Sequence, residues 1–141
     1  MELRICIDVD DMARAIAFYT EGLGLRVGRR FDPDFVEILG AGSPIDLLLN
    51  AAGTRPNAAS PDIRHYQRHW TPVHLDFVID DLEAAVARLQ NSGAVLEMPA
   101  TDRVWGRIAG LADPFGHGID LLEFRRRGYD EMLQPTRNGP A

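Results

Sequence analysis

Two stretches of the chain change period in the same order, from alternation of apolar and polar side chains to a helical stripe and back to alternation. In the first, Leu3, Ile5, Ile7 and Val9 fall on one side of an extended strand and Arg4, Cys6 and Asp8 on the other, because successive side chains leave a strand on opposite faces. Asp10 or Asp11 then caps a helix whose inward stripe is Met12, Ala15, Ile16 and Tyr19 and which ends near the glycines at 22 and 24. Residues 26–31, 35–39 and 45–50 read as three short strands, separated by Asp32-Pro33-Asp34 and by 40–44. Further on, Val73, Leu75, Phe77 and Ile79 alternate with His74, Asp76 and Val78, and a helix follows with the stripe Leu82, Ala85, Val86 and Leu89. Strands are then expected near 95–98, 105–111 and 118–124, with Asp113-Pro114-Phe115-Gly116 as the turn before the last.

The two halves are one unit used twice. The stretch beginning at Leu3 recurs seventy positions later, beginning at Val73, so that Arg4 answers His74, Asp10-Asp11 answers Asp80-Asp81, and Ala15 and Ala17 answer Ala85 and Ala87. Ile45-Asp46-Leu47 likewise answers Ile119-Asp120-Leu121. The fold class is therefore α+β, with two tandem βαβββ modules forming a curled mixed sheet around a cavity. One domain covers 1–124: module one is 1–50, a linker or lid loop 51–72, and module two 73–124. A tail of 125–141 follows, with 135–141 disordered. A short helix over 62–68 is an option within the loop. Each module buries one sheet face under its helix, so the polar faces are left to enclose the cavity. The alternation puts Arg4, Asp46, His74 and Asp120 on its wall, two from each module at equivalent positions.

Composition narrows the function classes. The net charge of -6 argues against a general affinity for nucleic-acid backbone, and the basic cluster Arg125-Arg126-Arg127 sits beside Glu123, Asp130 and Glu131 as a solvated tail. No apolar run approaches the roughly 20 residues of a membrane span. A single cysteine, Cys6, cannot form an internal disulfide, and with no basic-then-apolar leader the expected location is the reducing cytoplasm.

The order of these motifs resembles the vicinal oxygen chelate superfamily, which includes glyoxalase I, extradiol dioxygenases, methylmalonyl-CoA epimerase, fosfomycin-modifying enzymes and bleomycin-resistance proteins. The segments that carry the resemblance are Val9-Asp10-Asp11 through Phe18-Tyr19 with Leu23-Gly24-Leu25, then 74–81, then 113–121. The resemblance implies that the four wall positions bind one divalent metal, Fe, Mn, Ni or Zn, in metal-using members, and that the protein is a homodimer acting on a small-molecule ligand or substrate. It also implies that a cavity can be built from one chain or from two. Arg4 departs from the pattern, since a guanidinium has no lone pair to ligate with. Two readings stand. In the preferred one, Arg4 replaces the metal's charge by bridging Asp46 and Asp120, and the cavity binds or sequesters a ligand without metal, as in bleomycin resistance. In the alternative, Asp46, His74 and Asp120 hold a metal and the protein is a lyase or isomerase of the glyoxalase kind, favoured over an extradiol dioxygenase, with Asp76 as the proton-moving base.

Other residues carry weaker expectations. Asp8, Asn50, Trp105 and Arg107 project toward the cavity as ligand contacts. His65 and His69 stand four apart in the loop, but interleaved with Arg64 and Arg68 they read as a solvated or lid segment. His117 suits an exposed turn, Cys6 a small wall position, and Gly93, Gly116 and Gly118 backbone turns and close approaches.

Overall fold

The computed structural model describes residues 1–133, so the expectation for 135–141 lies outside the described residues. Module one comprises β1 (Ile5–Val9), α1 (Met12–Ala17), a π-helical turn (Phe18–Gly22), β2 (Arg26–Asp32), β3 (Phe35–Leu39) and β4 (Ile45–Leu49). Module two repeats the order with β5 (Leu75–Val78), α2 (Leu82–Asn91), β6 (Val95–Arg103), β7 (Gly106–Ala112) and β8 (Gly118–Phe124). A 3-10 turn, Gly128–Met132, follows. The strand orders are β1-β4-β3-β2 and β5-β8-β7-β6, with the first and last strand of each module parallel. These are two four-stranded mixed sheets, not a closed barrel.

Local chemistry explains the elements. Asp11 and Asp81 cap the two helices identically, each side chain accepting the backbone N–H three residues on, from Arg14 and Ala84, at 2.9 Å. In module one the helix widens after Ala17, where Thr20 donates its hydroxyl back to the Ile16 carbonyl at 2.7 Å. The wider turn buries both Phe18 and Tyr19, and so adds to the helical stripe a phenylalanine that a regular 3.6-residue period leaves out.

The helices and the inner sheet faces share one core. Ile7, Val9, Ile45 and Leu47 meet Ala15, Phe18 and Tyr19 in module one, and Leu82, Ala85 and Leu89 meet Leu111, Ile119 and Leu121 in module two. The modules join through their helical sides, where α2 packs on the π-helical turn and Leu89 and Ser92 approach Gly22. One buried polar link crosses this junction: the Tyr19 hydroxyl donates to Asp113 Oδ2 at 3.0 Å. Each sheet thus spends its apolar face on the common core and leaves its other face for chemistry.

Residues 51–72 contain no helix, contrary to the option raised for 62–68. They form a strap held by side chains instead. Arg64 binds Asp8 at 2.6 Å and the Arg55 carbonyl at 2.7 Å, and the Tyr66 hydroxyl donates to the Asn50 carbonyl at 2.6 Å. Arg68 grips Glu97 on β6 through two bonds of 2.7 and 2.9 Å. Gly116 (φ 88°) lets the strap backbone pass, because a side chain there would collide with the Gln67 carbonyl.

Candidate functional site

Strand pairing sets the first polar cluster. Asp46 on β4 lies between Cys6 on β1 and Glu37 on β3, so its side chain and Glu37's leave the same face as Arg4's. Arg4 donates to both Asp46 oxygens, at 2.9 and 2.6 Å, and to Glu37 at 2.8 Å. Arg29 grips Glu37 from the other side at 3.0 and 2.6 Å. The two carboxylates are only 4% exposed, so the paired guanidiniums replace the water they have lost. Arg29 first, then Arg4, holds the Glu37 carboxyl down at about 2 by hydrogen bonding. Arg4 accordingly does not bridge Asp46 to Asp120. Its partners are Asp46 and Glu37 of its own module, because β3 supplies a second carboxylate one strand away.

The second cluster lies on the matching face of module two. His74 precedes β5, Asp76 lies within it, and Asp120 stands beside Asp76 on the parallel strand β8. His74 Nε2 is 3.2 Å from an Asp76 oxygen and 3.6 Å from an Asp120 oxygen. One ligand atom from each of the three lies within 4.8 Å of the others. Burial pushes the Asp120 carboxyl up, with the Asp76 and Glu97 charges adding to the rise and His74 opposing it. Tyr129 is also pushed up, by burial and then by the charges of Asp76 and Asp120, which places its phenol in their field. Among the described residues no ion pair joins this cluster to the Arg4 cluster.

Two cavities meet at His74, and neither is lined by Arg4 or Asp46. The four positions expected on one cavity wall therefore do not share a cavity: those two side chains are spent on their own ion-pair network. A cleft of about 540 Å³ runs between the modules, lined by Ile5, Leu23, Leu25, Ile45, Leu75, Phe77 and Ile79, with His74 and Asp76 at its polar end. A smaller one of about 180 Å³ lies between His74 and Asp120 and the strap residues Arg68, Trp70 and Thr71. The larger falls within the 300–1,000 Å³ range of small-molecule pockets.

The remaining expected contacts divide. Asp8 and Asn50 bond to each other at 2.9 Å and are covered by Arg64 of the strap. Trp105 is buried against Phe124 and Tyr129, so it supports the wall rather than forming its surface. Arg107 is a correction. It pairs with Glu83 of α2 and Asp102, on the face away from the cavity, because alternation along β7 gives the cavity face to Gly110, whose missing side chain makes room beside Asp120. Sequence reasoning missed Glu37, Arg29, Trp70 and Tyr129. Only Glu37 left a signal, as the lone charge in an otherwise apolar strand.

The paired βαβββ modules, each a four-stranded mixed sheet with one face packed on the shared core, define a vicinal oxygen chelate fold. A family model for a glyoxalase-like domain matches residues 4–122, and the chain belongs to that family. The uncharacterized protein Rv0887c of Mycobacterium tuberculosis is 32% identical over 133 residues, covering 88% of this chain and 75% of that one. Among solved structures, the fosfomycin resistance protein FosX from Listeria monocytogenes superposes with a TM-score of 0.69 at 18% identity, covering 94% of this chain and 98% of its own. TnmS3, an antibiotic binding protein from a Streptomyces species, gives 0.58 at 23% identity, covering 89% and 96%. These likenesses establish the shared fold. Among the described residues no helix is long and apolar enough to cross a membrane.

Proposed function

We propose that this protein binds a small organic molecule in the cleft between the modules and holds or sequesters it without a metal at the His74 cluster. The observation that carries the reading is the closed Arg4–Asp46–Glu37–Arg29 network: two of the four wall positions are spent on each other, and the Asp46 oxygens already accept from a guanidinium. A four-ligand shell cannot be assembled from such a set. The cleft's apolar walls suit a hydrophobic body, and its His74–Asp76 end suits a hydrogen-bond-donating or cationic head. FosX and TnmS3, by name a resistance protein and an antibiotic binding protein, share the fold, which is consistent with small-molecule binding. The test is a titration of apolar amines and apolar carboxylates, read by fluorescence of Trp70, which is 80% exposed beside the His74 pocket. Amines binding more tightly than matched acids, unchanged by a chelator, is the expected result. Equal affinity, or loss on chelation, counts against the reading.

A second reading rests on the 4.8 Å grouping of His74, Asp76 and Asp120, one imidazole and two carboxylates that suit Fe(II), Mn(II) or Zn(II). An ion held there would polarise adjacent oxygens of a substrate, as a lyase or isomerase requires. Asp76 would then be a ligand rather than a base. About one ion per chain, lost on His74→Ala, would favour it.

The same proposal includes a homodimer. β1 and β5 are edge strands, and Leu3, Val73 and Val78 beside them are 66%, 73% and 57% exposed. Pairing of two copies through these edges gives each His74 cluster a partner surface. Light scattering that returns a monomer at micromolar concentration would remove this element.

A further inference from the structure

Three of the chain's four histidines come together away from His74. His65, His69 and His117 line a cleft of about 620 Å³ with Asp8, Asp62 and Tyr66, and this cleft shares no lining residue with the two cavities at His74. The first two histidines belong to the strap and the third to the turn before β8. The ring centres of His65 and His69 are 4.9 Å apart, and those of His69 and His117 6.4 Å.

The hydrogen bonds of His117 and His69 prepare those two for one task. Asp113, buried with its side chain at 0% exposure, lies 2.9 Å from His117 Nδ1 and accepts from the backbone N–H groups of Phe115 and His117. A carboxylate so placed accepts, so Nδ1 carries the proton and Nε2 keeps its lone pair. His69 Nδ1 lies 2.9 Å from the Gln67 carbonyl, which also can only accept, and the same tautomer follows. A carboxylate or carbonyl on Nδ1 with a free Nε2 is the arrangement that orients a metal-ligating imidazole. Geometry agrees. With a zinc–nitrogen bond of about 2.0–2.1 Å, two imidazoles at a tetrahedral angle have ring centres about 5 Å apart. The His65–His69 pair already has that spacing. The His69–His117 pair exceeds it by about an ångström, and the three imidazoles lack the 4.8 Å grouping of ligand atoms found at His74, Asp76 and Asp120, so a bound ion would have to draw His117 and the strap together.

We propose that His65, His69 and His117 form a second site, for a divalent transition ion that favours imidazole such as Zn²⁺, which clips the strap to the turn at 113–117. The site is independent of the ligand cleft, so its failure leaves the proposed function untouched.

Zn²⁺ is titrated by calorimetry into the full chain and into His65→Ala, His69→Ala, His117→Asn and His74→Ala, with circular dichroism confirming the fold of each. His65 and His69 sit on the strap, so their variants test the site even if His117→Asn folds poorly. The expected result is one ion per chain, with affinity falling at least about tenfold in the strap and turn variants and unchanged in His74→Ala. In parallel, Zn²⁺ should slow tryptic cleavage after Arg64 and Arg68 in the wild type and not in His69→Ala. Absence of binding, equal affinity in the strap variants, or loss in His74→Ala instead would overturn the proposal.

Discussion

Tyr19→Phe tests the buried link between the modules. The phenol is fully buried and donates to Asp113 Oδ2 at 3.0 Å, while the same carboxylate keeps His117 and two backbone N–H groups as partners. The substitution removes one hydrogen bond to a charged acceptor without orphaning that acceptor, which puts the loss at the low end of the usual range, about 1.5 kcal/mol. Unfolding entropy of roughly 2.1 cal/mol/K per residue gives about 0.3 kcal/mol/K for a chain of this size, so Tm should fall by about 5 °C. Differential scanning calorimetry at pH 7 provides the assay. A second signature is alkaline. Burial, and then the Asp113 charge, push the Tyr19 phenol well above its ordinary value of 10.0. A raised folded value contributes stability that is fully present below the unfolded value and is lost as pH rises toward the folded one. The wild-type advantage over Tyr19→Phe should therefore shrink above about pH 10. A Tm within 1 °C of wild type at pH 7, or a gap that widens in alkali, would refute the account of this link.

Three further outcomes follow from the clusters and the strap. Glu37 is held at about 2, against 4.5 ordinarily, so its contribution is complete above pH 4.5 and disappears as pH falls toward 2. Glu37→Gln should be less stable than wild type at pH 7, and denaturant titrations should show the difference closing across that window. Asp120 is pushed the other way, chiefly by burial, so its ionised form costs stability at neutral pH. Asp120→Asn should raise Tm, and a fall in Tm would contradict this. At Gly116 an added side chain meets both a positive φ of 88° and the Gln67 carbonyl. Gly116→Ala should destabilise by more than about 1 kcal/mol and expose Arg64 and Arg68 to trypsin, and unaltered proteolysis would show that the strap does not depend on this contact.

The period-2 rule made the side-chain faces legible one strand at a time. Arg4, Asp46, His74, Asp76 and Asp120 all lie on the faces that alternation assigns to them, because strand pairing leaves a side chain only two directions. Which of them touch was not legible. That depends on which strand lies next to which: β3 brings Glu37 beside Asp46, and the helical junction between modules keeps Arg4's partners within its own half. Arg107 went wrong near a strand end, where one residue of register reverses the face. The strap was least readable. It has no period, and its form comes from Arg64, Tyr66 and Arg68 reaching groups on both modules. For the same reason the meeting of His69 with His117 across 48 positions left no mark in the sequence.

The His74 cluster is proposed to hold its ligand without a metal, since Arg4 ties Asp46 to Glu37 in its own module and leaves no four-ligand shell to assemble. The direct test is the metal content of tag-free wild type and His74→Ala, both expressed in medium supplemented with Fe, Mn, Ni and Zn and measured by mass spectrometry against protein concentration. The content should be the same in both proteins, since any ion present belongs to the strap histidines. About one ion per chain in the wild type that disappears in His74→Ala would contradict it and make His74, Asp76 and Asp120 the ligands of a metal-dependent enzyme.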